Sequence, residues 1–174
     1  RMLVALVRAH GRAGLQTVGC RRLALVSMQS LKKCRVVLQL GGTAAVLDLL
    51  RIVHPGKAGK DKDADGKDVV EKVKPGQSKL WCLTRPELLR CAINALLNLS
   101  IEPQNQVWLA THGLPNLIEL VCEPAMQSRR HEWVMLARLL ENLSSNNENR
   151  RRLYRAELVM RNLQFQHMTD PEEF

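Results

Sequence analysis

Apolar residues recur along this chain at three- and four-residue spacing, and proline, glycine or a short polar stretch interrupts them at intervals. That is the pattern of amphipathic helices joined by tight turns. In the middle of the chain, Arg85 to Ser100 predicts a long helix opened by Thr84 and Pro86 as cap and first-turn residues. Glu102 to Thr111 predicts a short helix with Pro103 in its first turn and Gly113 at its end, and Leu114 to Val121 a third, stopped before Pro124. The same order follows at Ser128 to Ser144, Asn147 to Ala156 and Leu158 to Phe165. It precedes at Gln16 to Gln29, Leu31 to Leu40 and Thr43 to Val53. The opening LVALV is expected to be the last helix of a preceding unit.

The recurrence is also literal. Shifting the sequence by 71 places sets Arg22 to Leu50 over Ile93 to Val121, with Ala24 on Ala95, Leu38 on Leu109 and Gly42 on Gly113. A shift of 44 sets Leu96, Asn98, Leu99, Ser100, Asn105 and Leu109 over Leu140, Asn142, Leu143, Ser144, Asn149 and Leu153. A period of roughly 40 to 47 residues belongs to helical solenoids. The longer spacing is explained by an insertion, His54 to Lys79, dense in Lys, Asp and Gly and bounded by Pro55 and Pro75. Such a composition cannot bury a core, so it is expected to be a disordered charged loop. Within it Asp61, Asp63, Asp65 and Gly66 reproduce the start of a calcium-binding loop, but the twelfth position is Lys72 rather than a bidentate glutamate. A solvated charged loop is the simpler reading.

The string AxxALxNLS, followed by an asparagine, an apolar residue, a glycine and LxxLxxL, resembles the armadillo repeat. RCAINALLNLSIEPQNQVWLATHGLPNLIELV carries it best; the third unit replaces the glycine by Glu157, and the first has Ser27 and Cys34 where the asparagines would stand. The resemblance implies an all-α, right-handed solenoid of about three repeats. Residues 1–53 would hold a partial repeat and the first full one, 54–79 the loop, 80–165 the second and third repeats, and 166–174 a tail. It also implies a protein-interaction scaffold that takes an extended segment of a partner in a concave groove, and no catalytic residue, metal or cofactor.

On a helical wheel, Leu89, Ala92, Ile93, Leu96 and Leu99 share one stripe, the expected core. Glu87, Cys91, Asn94 and Asn98 fall opposite, with Arg90 beside them; the next long helix offers His131, Met135, Arg138 and Asn142, and the first Gln16, Cys20, Leu23 and Ser27. Stacked units would place these strips side by side as a groove. Asparagine suits such a surface because its amide donates and accepts, and so can pair with a peptide backbone whatever the side chains. A second role is equally open for Asn98 and Asn142, both close to a helix end: satisfying loose carbonyls there. Importin alpha carries a tryptophan one turn before this asparagine, where the present chain has Leu23, Asn94 and Arg138. An arginine there repels a basic peptide, so a neutral or acidic segment is the expected partner.

Composition narrows the classes further. Only 3% of residues are aromatic, which suits helices packed by Leu, Val and Ala. The net charge of +9 is uneven, with nine Lys/Arg against Asp48 alone in residues 1–54. Lys32, Lys33, Arg35 and the run Arg150 to Arg152 leave nucleic acid as a rival partner, although no aromatic residues interleave with them. The five cysteines form no CxxC pair and have no histidine at zinc spacing, which points to reduced thiols and a cytoplasmic or nuclear location. No apolar run reaches the roughly 18 residues of a membrane span. Attachment to a larger protein such as a ubiquitin ligase is the alternative context.

Overall fold

The computed structural model describes residues 1–51 and 82–168, and among these it is helical throughout, with no strand. The order is α1 (Met2–Val7), α2 (Ala13–Gln29), α3 (Leu31–Gln39), α4 (Gly42–Leu49), α5 (Pro86–Leu99), α6 (Pro103–His112), α7 (Leu114–Cys122), α8 (Pro124–Gln127), α9 (Arg130–Ser144), a 3-10 turn at Asn147–Asn149 and α10 (Arg150–Met168). The inserted loop with its acidic run, Trp81 and the end of the tail lie outside the described residues.

Local chemistry explains the boundaries. Pro86, Pro103, Leu114-Pro115 and Pro124 each put proline in a first turn, where its missing N–H is not needed. The cap of α5 is Arg85 rather than Thr84, and no side chain closes it. The short helices are closed by side-chain oxygens instead: Ser30 accepts from the Lys33 amide, Glu102 from Asn105 and Asn146 from Glu148. The expected break between Asn147–Ala156 and Leu158–Phe165 is absent. One helix, α10, runs through Glu157, because no glycine or proline stands there to stop it.

The long helices α2, α5 and α9 are neighbours in sequence order, with α5 in the middle. Their direction follows from the bonds between them. Arg21 precedes Ala24 in α2, and their partners on α5, Glu87 and Asn98, come in the same order. Between α5 and α9, Arg129 reaches the Leu83 carbonyl before the helices begin, and Asn142 reaches Ser100 where they end. All three therefore run parallel. Flanked on both sides, α5 buries Leu88 and Ala95 as well as the predicted stripe, whereas α9 buries only Met135, Leu136, Leu139 and Leu143. Each fully buried leucine contributes about 1.5 to 3 kcal/mol.

The first unit sits one residue away from the register that sequence identity suggests. Gly41, not Gly42, precedes α4 as Gly113 precedes α7, and Ser30 caps α3 as Glu102 caps α6; both pairs are 72 residues apart. Gly41 is required for its left-handed backbone, φ 72°. At Gly113 the backbone is ordinary, and an added Cβ would instead lie 3.0 Å from the Leu109 carbonyl and the Leu47 side chain.

Candidate functional site

Parallel long helices with the same phase expose equivalent positions on one side. On α5 these are Glu87, Arg90 and Asn94, followed just past its end by Ile101; on α9 they are His131, Val134 and Arg138, followed just past its end by Ser145. With the register reset by one, α2 supplies Leu15, Val18, Arg22 and Gln29, and all twelve side chains are exposed. The structure thus brings together Glu87, Arg90, Asn94, His131 and Arg138 from the predicted strip, with Cys91, Asn98 and Asn142 half-buried along its edge.

The first-unit residues are a correction. Leu23 is 2% exposed and packs in the core, and Ser27 is buried with its hydroxyl donated to the Leu23 carbonyl of its own helix at 2.7 Å. Met135 on α9 is buried as well. A slip of one residue turns a helix by about 100°, enough to exchange an outward position for an inward one. The surface residues it hid are Val18, Arg22 and Leu25. The missed signal was Gly41, which offers the same glycine match to Gly113 as Gly42 does.

Asn98 and Asn142 are neither sealed in the core nor free. Asn98 donates to the Ala24 carbonyl of α2 at 3.4 Å, and Asn142 donates to the Ser100 hydroxyl at the end of α5 at 2.8 Å. Each spends one amide hydrogen on the preceding long helix and keeps its carbonyl oxygen. Asn94, by contrast, is exposed and makes no hydrogen bond among the described residues.

A second pair of asparagines, completely buried, joins the units from inside. Asn105 donates to the Cys34 carbonyl of the preceding short helix at 3.2 Å, and Asn149 donates to the equivalent carbonyl, that of Gln106, also at 3.2 Å. The Asn105 carbonyl accepts from the Thr43 hydroxyl at 2.8 Å. The Asn149 carbonyl has no partner among the described residues, since Pro115 occupies the place of Thr43 and has no hydroxyl to give. Buried Glu102 strengthens the same seam through the Arg35 guanidinium at 2.7 Å.

Charge on the exposed side is positive. Arg21 pairs with Glu87 at 2.6 Å, and its contact with the Cys91 sulfur, followed by the charge of Glu87, raises its pKa above the ordinary guanidinium value. Arg22, Arg90 and Arg138 have no partner among the described residues. Of the rival basic groups, Arg35 serves Glu102, Lys33 donates to Gln29 and Arg152 donates to the Glu148 carbonyl, whereas Lys32, Arg150 and Arg151 are exposed with no side-chain partner among the described residues. Trp108 leans on His112, with ring centroids 4.9 Å apart, while Trp133 is exposed on α9.

Burial raises the thiol pKa of Cys20, with the nearby Cys82 and Cys91 adding to it, and pushes Cys82 up to about 12. Cys82 donates to the Leu49 carbonyl at 2.8 Å and Cys34 to the Ser27 carbonyl at 3.2 Å, so these thiols act as buried packing groups. Among the described residues no group of three metal-ligating side chains converges, and no helix is long and apolar enough to cross a membrane. No family model, no curated protein and no solved structure matches the chain.

Proposed function

We propose that the chain is an armadillo-like solenoid segment that acts as a protein-interaction module. An extended stretch of a partner protein would lie across the exposed sides of α2, α5 and α9. The observation that carries this reading is the parallel, in-phase packing of the three long helices, which lines up Arg22, Asn94 and Arg138 at one level. A repeated, unpaired polar position of this kind gives no packing advantage, but it presents hydrogen-bonding groups at the regular interval a peptide backbone can use. Binding rather than chemistry is the proposed role, in a cytoplasmic or nuclear setting or within a larger protein.

A display library of random peptides tests it, screened with wild type beside the triple variant Arg22→Glu/Asn94→Ala/Arg138→Glu. All three positions are exposed, so helicity should be unchanged. Peptides selected by wild type should lose binding by about tenfold or more to the variant and keep it to Arg151→Glu on α10. Selected peptides that bind the triple variant as tightly would reject this face as the binding site.

A further inference from the structure

On the reading just given, the side chains on the face also specify the segment it takes. Arg22, Arg90 and Arg138 contribute from each long helix one guanidinium with no partner among the described residues, while Arg21 is paired with Glu87. The acids on the same side are Glu87, which Arg21 already neutralises, and Glu141, one turn beyond Arg138. Exposed apolar side chains occur along the face, with Ile101 just past α5 and Val134 on α9, and α2 contributes the largest group. Val18 and Leu25 flank Arg22 on α2 and are each about half exposed, at 48% and 49%. Their counterparts on the middle helix are Arg90 and the half-buried Leu97.

Packed helices lie about 9 Å apart. A chain in the extended polyproline II conformation advances about 3.1 Å per residue with every third side chain on the same side, so a segment crossing the helices presents one side chain to each of them roughly every three residues. We propose that the occupant is an acidic segment of a partner protein, with a carboxylate at about every third residue and an apolar anchor seated against Val18 and Leu25. A second copy of this chain is disfavoured, because the same basic face would meet itself. Nucleic acid is disfavoured because the described α2 and α5 sides carry no aromatic ring on which bases would stack.

The test uses the whole chain and fluorescence anisotropy with labelled ten-residue peptides. One carries Asp at every third position and Leu at both ends; one replaces Asp by Asn; one has the same composition with the Asp residues contiguous. The spaced acidic peptide should bind at least about tenfold more tightly than the other two and weaken as salt is raised. It should lose about tenfold or more with Arg90→Glu and with Arg138→Glu, less with Arg138→Gln, and also with Leu25→Asp; thermal melts verify that each variant is folded. If the Asn peptide binds equally and only Leu25→Asp and Asn94→Ala weaken it, the acidic assignment is overturned while the interaction face stands. Equal binding of the contiguous isomer overturns the spacing. Absence of binding by all three peptides overturns both this inference and the reading beneath it. Tighter binding of a ten-nucleotide oligouridylate, lost in the same arginine variants, overturns it in favour of nucleic acid.

Discussion

The asparagines in this chain divide by what their amides touch. Asn94 faces outward without a side-chain partner among the described residues, Asn98 and Asn142 each tie one hydrogen to the helix before, and Asn105 and Asn149 are wholly buried across the seam between units. A buried polar group left without its partner costs about 1 to 3 kcal/mol. Asn105→Ala strands both the Thr43 hydroxyl and the Cys34 carbonyl, so it should lower the unfolding free energy in urea by about 2 to 4 kcal/mol. Asn149→Ala strands the Gln106 and Leu143 carbonyls but also removes an amide carbonyl that has no partner among the described residues, so it should cost less. Equal losses would contradict this ranking. The string NLS was visible in the sequence, but which amide points outward was not, since a difference of four residues keeps Asn94 and Asn98 on nearly the same side of a wheel.

At the level of elements, nearly every helix was legible from its own turn residues, and the misreadings have local causes. Glycine matches placed the first unit one residue off, because Gly41 and Gly42 are adjacent and either can be set on Gly113. Only the caps at Ser30 and Glu102 and the paired bonds from Asn105 and Asn149 decide between them. The division of α10 was expected from the repeat, yet nothing in RRRLYRAELV ends a helix. Because α10 is continuous, Glu157→Pro removes a helical hydrogen bond and clashes with the preceding turn, costing about 3 kcal/mol or more. Circular dichroism and urea unfolding check this; a variant with unchanged helicity and stability would place a junction at Glu157.

Across the whole molecule, burial sets the behaviour of the thiols. In the unfolded chain Cys82 titrates near the usual value of about 9, whereas in the fold its pKa is about 12, so the folded state keeps the proton where the unfolded state has lost it. The corresponding stability is complete below the ordinary thiol pKa and declines as pH rises towards about 12. The urea midpoint should therefore fall through that window, and less steeply in Cys82→Ala. A chromogenic disulfide reagent at neutral pH should label the half-buried Cys91 and Cys122 in the native protein, and Cys20 and Cys82 only after unfolding; rapid native labelling of Cys82 would contradict its burial. The sequence alone determined that the chain makes helices, where most of them begin and end, and that they recur in units, because turn residues and apolar spacing act over a few residues. Which side of α2 is outside, that α2, α5 and α9 run parallel as neighbours, and that three arginines share one face depend on contacts between residues more than 40 positions apart. Only tertiary packing could decide those.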